Sequence, residues 1–159
     1  MKIYLAADHA GFEMKNALKE FLTSLSYEVE DFGAFELDPG DDYPTYMRRA
    51  AGAVSHDPLN SRAIILGGSG QGEAMVANKF TNVRAAVFYG EAGNDTAKAM
   101  GAMEIVRLSR EHNDANVLSI GARFLNLDEA KDAVMIWLKT PFSIEERHKR
   151  RVSQINQIT

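Results

Sequence analysis

Residues 63–79 read AIILGGSGQGEAMVANK: an apolar run, a glycine-rich turn and a stretch of small residues. This order predicts a strand, a loop and a helix. The glycines of the turn carry no side chain, so backbone N–H groups can approach a ligand closely. A helix that begins at the same point favours negative charge there. The stretch therefore predicts a site for an anion or an oxyanion, in which Ser69 offers a hydroxyl and Glu73 a candidate general base.

The glycine pattern differs from three familiar loops. A dinucleotide fingerprint would need glycine where this chain has Glu73 or Met75. A nucleotide phosphate loop would need lysine and Ser/Thr in place of Glu73 and Ala74. A nucleophile elbow around Ser69 would need glycine in place of Gln71. The alternative interpretation is a structural turn in which Glu73 only stabilises the helix dipole.

Composition places the chain among ordinary globular proteins. Its 159 residues, 45% hydrophobic and 25% charged, predict a single domain over residues 1–159. The formal charge of −4 argues against a nucleic-acid partner, despite the basic residues between Arg147 and Arg151. The absence of cysteine excludes disulfides, cysteine nucleophiles and thiolate metal sites. No apolar run resembles a signal peptide or a membrane span, so we expect no membrane partner and a cytoplasmic location.

Strand-like and helical patterns alternate along the chain. Short apolar runs predict strands near residues 2–7, 27–32, 63–66, 83–89 and 117–121. Asn126, with Glu129 three residues on, predicts a capped helix, and a basic terminal helix covers residues 144–158, where it could pack on a partner subunit. The alternation predicts an α/β fold, a Rossmann-like three-layer α/β/α sandwich with a five-stranded parallel sheet. Such folds bind ligands beyond the carboxyl ends of their strands.

Several polar residues are candidates for chemistry. Asp8 and His9 follow the first strand and could bind sugar hydroxyls or phosphate, although an Asp-capped turn would look the same. His112 near a helix end could exchange protons with a ligand oxygen, or simply interact with the helix dipole. Arg147 and Arg151 are four residues apart on one helical face and could hold a phosphate, or could form a solvated basic helix end. The four histidines show no metal-ligand spacing, so we predict no metal site.

Six segments, spread over nearly the whole chain, carry a family resemblance. The chain resembles the ribose-5-phosphate isomerase B family, which includes the allose-6-phosphate and galactose-6-phosphate isomerases. The matching segments are AADHAGF at 6–12, DYP at 42–44, GGSGQGEAMVANK at 67–79, RA at 84–85, REHNDANVLSIGAR at 110–123 and RHKRRV at 147–152. Their combination is highly specific, whereas no single segment would be.

The resemblance implies a metal-free and cofactor-free aldose–ketose isomerisation, ribose 5-phosphate to ribulose 5-phosphate, through an enediolate. One branch of the family uses a cysteine base just before this loop, where this chain has Gly67. This chain resembles the other branch, whose base is a glutamate at the position of Glu73. Ser69 and the loop amides would hold the oxygen that becomes negative. The glycines that supply this binding surface are Gly68, Gly70 and Gly72.

By the same resemblance, His112 would help to open the furanose ring. The other binding candidates are Asp8 and Asn113 for the hydroxyls and the ring oxygen, Arg147, Arg151 and His9 for the phosphate, and Arg123 as a further contact. Family sites are built between two subunits, and the segment that carries His112 comes from the partner. We therefore expect a homodimer or a dimer of dimers.

Two alternatives stay open at this point. The same chemistry could act on a six-carbon substrate such as allose 6-phosphate or galactose 6-phosphate, or the chain could be a non-catalytic phosphosugar-binding subunit. The chain also departs from typical family members by about a dozen extra residues between Arg84 and His112. We place this extra segment within Gly90–Ile105, where it could lengthen a helix, form a lid or enlarge the dimer contact.

Overall fold

The computed structural model describes residues 1–90 and 96–158, except for the side chains of 96–100 and 102. The strands are β1 (Lys2–Ala7), β2 (Glu28–Asp31), β3 (Ser61–Gly67), β4 (Ala85–Phe88) and β5 (Val117–Gly121). The helices are α1 (Phe12–Ser24), α2 (Tyr43–His56), α3 (Gln71–Ala77), α4 (Thr96–Asn113), α5 (Leu127–Lys139) and α6 (Glu146–Asn156). Among the described residues, no helix combines the length and the apolar character needed to cross a bilayer.

The five strands form one parallel sheet in the order β2-β1-β3-β5-β4. The predicted fold class is confirmed, and the polar strand β2 lies at an edge. The strand order changes direction at β1, because β2 pairs with one side of β1 and β3 with the other. In α/β sheets, such a switch point opens a crevice at the carboxyl ends of the two strands concerned.

Alternate residues of the central strands feed two separate apolar cores. Ile64 and Leu66 of β3 point into the core that contains the buried residues of α1 and α5. Ala63 and Ile65 point to the opposite face, into the core built with α2 and α3. All four side chains are fully buried. Helices thus cover both faces of the sheet, which explains why β3 reads as a continuous apolar run.

Helix ends agree with the local sequence signals. The Asn126 side chain accepts hydrogen bonds from the backbone N–H groups of Asp128 and Glu129, both at 3.0 Å. The Glu129 carboxylate accepts the N–H of Asn126 at 2.7 Å, which completes the predicted capping box. Gly101 lies inside α4 and does not interrupt it. Of the extra segment at 90–105, residues 91–95 lie outside the described residues, and the part from Thr96 onward belongs to α4.

Candidate functional site at the carboxyl edge of the sheet

The glycine-rich loop joins β3 to α3 at the carboxyl edge of the sheet. Gly70 adopts a φ of +75°, which L-residues with a side chain rarely adopt, and its carbonyl accepts a hydrogen bond of 2.6 Å from the buried hydroxyl of Ser119. Ser69 is exposed at the loop tip. Because α3 has only seven residues, we assign any oxyanion binding to the loop amides and not to a long helix dipole.

Glu73 lies in the first turn of α3 and is 4% exposed. Its carboxylate folds back over Gly67: a methyl group on the Gly67 Cα would lie 1.7 Å from Oε1 of Glu73. Burial raises the pKa of the Glu73 carboxyl, its own backbone N–H opposes that shift, and the charge of Asp8 adds to it. A buried carboxyl with a raised pKa beside an amide-lined loop has the properties of a general base.

Asp8 lies directly after β1 and is 6% exposed. Its Oδ1 accepts the backbone N–H groups of Ala10 at 2.9 Å and Gly11 at 3.2 Å. Oδ1 of Asp8 therefore caps the turn after β1, in agreement with the capped-turn interpretation. Asp8 nevertheless also lies close enough to Glu73 for its charge to act on that carboxyl, so the two segments share one crevice, as the topology predicted.

His9 pairs with Asp41, a residue of the loop between β2 and α2. The Nδ1 of His9 lies 2.7 Å from Oδ1 of Asp41, and the backbone N–H of His9 donates to the same oxygen at 3.2 Å. This contact with Asp41 raises the pKa of His9, and the negative charge of Asp8 also raises it. Burial lowers the pKa of His9, and the positive charge of Arg123 lowers it by a smaller amount.

Arg123 follows β5 and lies against the glycine loop. Its backbone N–H donates to the carbonyl of Gly68 at 3.2 Å, and its guanidinium lies 3.3 Å from where a methyl group on Gly68 would be. Glycine at position 68 thus allows a cation to lie over the loop. His9 and Arg123 together bring two basic groups to the same crevice, which suits an anionic ligand.

Sequence reasoning missed two residues of this edge, Tyr43 and Asp41. The Tyr43 hydroxyl oxygen lies 2.7 Å from the position of a methyl group on Gly72, so α2 brings a phenol directly onto the loop. The DYP segment carries part of the family resemblance but no local signal for this contact. Neither the Tyr43–Gly72 contact nor the His9–Asp41 contact has a local sequence signal, because each joins residues that are far apart in the chain. His9 and Asp41, for example, are 32 residues apart.

The remaining predicted residues lie in a second cluster, at the amino edge of the sheet. The His112 ring lies 4.2 Å, centroid to centroid, from the ring of the buried His148 on α6. Burial lowers the pKa of His148, and the neighbouring His112 and Arg147 add to that effect. Asn113 is the last residue of α4, and its backbone carbonyl accepts a hydrogen bond of 3.1 Å from Nε–H of Arg84. Arg147 and Arg151 are exposed on α6 beside this histidine pair.

Chain topology explains the separation of the two clusters. Helix α4 must return from the carboxyl end of β4 to the amino end of β5, since these strands are parallel neighbours. His112, at the last turn of α4, therefore lies one strand length from the glycine loop, roughly 15 Å for a five-residue strand. One chain brings Glu73, Asp8, His9, Ser69 and Arg123 together but not His112, Asn113, Arg147 or Arg151.

Asp8, His9 and Asp41 also place three potential metal-ligand atoms within 4.8 Å of one another. In the described chain, however, one carboxylate oxygen of each aspartate already takes part in hydrogen bonds within the protein. Oδ1 of Asp8 caps a turn, and Oδ1 of Asp41 bonds twice to His9. This geometry is that of a hydrogen-bonded acid–imidazole pair.

The sandwich has a switch-point crevice in which carboxylates, an imidazole and a guanidinium gather, and together they form a candidate strand-end site suited to a small anionic ligand. The family described as Ribose/Galactose Isomerase matches residues 3–155. Ribose-5-phosphate isomerase B of Mycobacterium leprae is 39% identical over 152 residues, which cover 96% of this chain and 86% of that protein. The chain belongs to the ribose/galactose isomerase family, as the sequence segments indicated.

Solved structures agree with this assignment. Ribose-5-phosphate isomerase B from Mycoplasma genitalium, crystallised with bound ribulose-5-phosphate, gives a TM-score of 0.88 at 31% identity, over 98% of this chain and 94% of that one. The enzyme from Clostridium thermocellum gives a TM-score of 0.86 at 38% identity, over 99% and 97% of the two chains. The likeness extends over nearly the whole chain.

Proposed function

We propose that this isomerase interconverts ribose 5-phosphate and ribulose 5-phosphate, with Glu73 as the base, at a site shared by two copies of the chain. The observation that carries the proposal is the buried carboxylate of Glu73 beside the glycine loop. The relatives named above are ribose-5-phosphate isomerases, and one of them holds ribulose-5-phosphate. The substrate class follows from that family membership, and the chemistry follows from the loop.

Proton transfer is the central step. In the open-chain aldose, the Glu73 carboxylate removes the proton from C2, and the C2–H electron pair forms the enediolate double bond between C1 and C2. The same carboxyl then returns the proton to C1, while a hydroxyl proton moves between O2 and O1 and the carbonyl passes from C1 to C2. Substrate and product are isomers, so no redox partner is needed. A raised pKa suits this residue, because it must both accept and return a proton.

The loop supplies the electrostatic part of the reaction. Negative charge develops on the substrate oxygen during enolisation, and we assign its stabilisation to the amides from Gly68 to Gly72 and to the exposed Ser69 hydroxyl. A preorganised donor of this kind lowers the barrier by roughly 3 kcal/mol. Tyr43, whose hydroxyl lies on the Gly72 backbone, adds a further donor at the same place.

A second copy of the chain completes the site. We assign ring opening to His112 of the partner subunit, which lies at the amino edge beside Asn113 and the exposed guanidinium groups of Arg147 and Arg151. Within one chain these groups lie a strand length from Glu73, whereas a partner can present its own amino-edge cluster to the crevice. The phosphate would then lie between those arginines and His9.

The face around β4 suits such a partner. β4 is an edge strand, and a groove lined by Met75, Ala85 and Val87 runs between it and α3. Met75 is 66% exposed, and Ile155 on α6 is 43% exposed. A homodimer that buries these side chains would remove apolar surface from water and cover the open strand edge.

The test compares wild type, Glu73→Gln and Glu13→Gln on ribose 5-phosphate and allose 6-phosphate, with a chelator present throughout. Glu13 is a matched control, because it is an exposed glutamate in the first turn of α1. We expect pentose turnover by wild type and Glu13→Gln, and a loss of at least about 100-fold in kcat with near-normal binding in Glu73→Gln.

Other outcomes separate the alternatives. Full turnover by Glu73→Gln would remove Glu73 as the base. A preference for the six-carbon sugar would keep the chemistry and change the substrate. Calorimetric binding of phosphosugars without any isomerisation by wild type would make the chain a binding subunit.

A further inference from the structure

Asp41 holds His9 by two contacts to one oxygen. Its Oδ1 accepts the backbone N–H of His9 at 3.2 Å and faces the ring Nδ1 at 2.7 Å. The His9 side chain is 30% exposed, whereas the Asp41 side chain is 4% exposed. A buried carboxylate therefore fixes both the backbone and the ring of a partly exposed imidazole, and it leaves the other ring nitrogen, Nε2, facing away from Asp41.

The second oxygen of Asp41 is unusual. Oδ2 is buried and forms no hydrogen bond of ordinary geometry among the described residues, although the Tyr46 hydroxyl lies close enough to interact with the Asp41 side chain. An ionised carboxylate held in this way is costly unless a cation lies beside it. Lys15 and Lys19 bind Asp31 instead, so the ring of His9 is the basic group that Asp41 contacts in the described structure.

We propose that Asp41 is the positioning residue that keeps His9 as an imidazolium whose Nε2–H donates to the substrate phosphate. Asp41 itself touches no substrate. This role rests on the proposed function, because it needs a phosphate in the crevice beside His9 and Arg123. A carboxylate behind a ligand-binding histidine also fixes which ring nitrogen carries the outward proton.

The charges around His9 agree with this role. The Asp41 contact raises the pKa of His9, and Asp8 on the neighbouring turn adds to that effect. Burial opposes it, as does the positive charge of Arg123 across the crevice. On the α2 side, burial raises the pKa of the Tyr46 hydroxyl, and the charges of Asp41 and Asp38 add to it, so Tyr46 stays neutral beside the pair.

The sign of the pH effect follows from the raised pKa. The charged form of His9 is held below its pKa in the folded protein and is lost as pH rises through that value. Without the charge of the carboxylate, the pKa of the His9 ring should fall. Wild type and Asp41→Asn should therefore differ most between their two His9 pKa values and converge below the lower one.

The experiment uses Asp41→Asn, Asp41→Ala and Asp38→Asn in the full-length protein. Asparagine retains an oxygen that accepts from Nδ1–H but removes the charge. Asp38 lies in the same loop, its Oδ1 accepts the N–H of Gly40, and it does not contact His9, so it is the matched control. NMR titration of the ligand-free proteins follows the His9 ring, and calorimetry measures binding of inorganic phosphate and of ribose 5-phosphate from pH 5.5 to 8.5. Phosphate has its own titration, so Kd values are compared as variant-to-wild-type ratios at each pH.

We expect Asp41→Asn to lower the pKa of His9 and to weaken phosphate binding about 3- to 10-fold at pH 7.5, with a ratio near one at pH 5.5. In turnover, KM should rise by the same factor while kcat stays within about 2-fold. Asp41→Ala should lose affinity at every pH, because it also releases the ring, and Asp38→Asn should match wild type.

Three results would overturn the role: an unchanged His9 pKa in Asp41→Asn, an affinity loss in Asp41→Asn that is the same at every pH, or phosphate binding by wild type that is strengthened by added Mn²⁺ or Zn²⁺ and abolished by chelator. The last would make Asp8, His9 and Asp41 a metal site. NMR and phosphate binding decide the role even if wild type does not turn over ribose 5-phosphate, so failure of the proposed function is seen separately.

Discussion

The carboxylate of Glu73 occupies the space that any side chain at Gly67 would need, with Oε1 only 1.7 Å from the position of a methyl group there. The two positions are therefore coupled. A base carried at position 67 and a base carried at position 73 cannot both lie in this crevice as it is built. Glycine before the loop is the structural condition for a buried glutamate after it.

Gly67→Ala tests this coupling. The colliding atom is the end of a flexible side chain, so we expect the carboxylate to move and the fold to survive. A base displaced by about 1 Å costs on the order of 100-fold in rate, so kcat should fall by about that factor while phosphosugar binding persists. Steady-state kinetics and a thermal melt measure the two effects.

Gly52→Ala is the control for Gly67→Ala. Gly52 lies within α2, and a methyl group there would meet Phe80 at an ordinary 3.6 Å. Alanine is the better helix former, so this variant should be active and at least as stable as wild type. Normal turnover by Gly67→Ala would show that Glu73 need not stay where the structure places it.

Glu73 should also cost stability at neutral pH. Its folded-state pKa is raised, so the fold favours the protonated form, and stability is lost as pH rises through that pKa. Glu73→Gln does not titrate and avoids this loss. We expect its Tm to exceed that of wild type at pH 7.5 and the difference to shrink towards pH 4.5, measured by calorimetry at several pH values.

The exposed Glu13→Gln variant should show no such trend. A Tm difference for Glu73→Gln that does not change with pH would mean that the Glu73 carboxyl is not strained by burial. The same variant is the one expected to lose turnover, so gained stability and lost activity would come from a single group.

Arg84 ties the amino-edge cluster together. Its guanidinium donates to the carbonyls of Asn113 and Asp114, to the Asp114 carboxylate at 2.8 Å and to Oδ1 of Asn156 on α6 at 3.0 Å. Arg84→Ala would leave Asp114 with Arg110 as its remaining pair and would free the turn after His112. We expect the free energy of unfolding to fall by about 3 kcal/mol in denaturant titrations.

Arg107→Ala is the comparison for Arg84→Ala. Arg107 forms ion pairs with Glu104 and Glu111, but on an exposed face of α4. Surface pairs of this kind contribute at most about 1 kcal/mol. Equal destabilisation by the two substitutions would contradict the view that Arg84 organises the amino edge.

Local sequence signals predicted much of the fold. The run KIYLAA gives β1 at Lys2–Ala7, and Val117–Gly121 is β5, as predicted. These elements are bounded by turn residues and carry clear apolar patterns, so their limits depend on nearby residues alone. The carboxyl-edge grouping of Asp8, His9 and the loop followed from the parallel sheet.

Other features depend on contacts that no local pattern encodes. Apolar runs predict that the chain has five strands, but they do not predict the strand order, in which β5 lies between β3 and β4. Asp41 and Tyr43 reach the crevice from a loop and a helix start without any periodicity of their own. The steric coupling of Gly67 with Glu73 depends on side-chain packing, which appears only in three dimensions.

Mixed dimers test the shared site directly. Glu73→Gln removes the proposed base at the carboxyl edge, and His112→Ala removes the proposed ring-opening group at the amino edge. Each homodimer should be nearly inactive. When equal amounts are exchanged through partial denaturation, half of the dimers become mixed, and each mixed dimer has one site with both functional groups. Activity should then recover to about a quarter of the wild-type value.

The outcome depends on which chain supplies His112. If each site used groups from one chain only, a mixed dimer would contain no intact site, and exchange would restore nothing. The double variant Glu73→Gln/His112→Ala, mixed with an equal amount of wild type, is the control for exchange. After exchange half of the dimers are mixed, and each mixed dimer carries two incomplete sites. Activity should therefore fall from about half to about a quarter of the wild-type value, the share of the remaining wild-type homodimers. Recovery in the first mixture, together with this value in the second, would place His112 across the subunit boundary from Glu73.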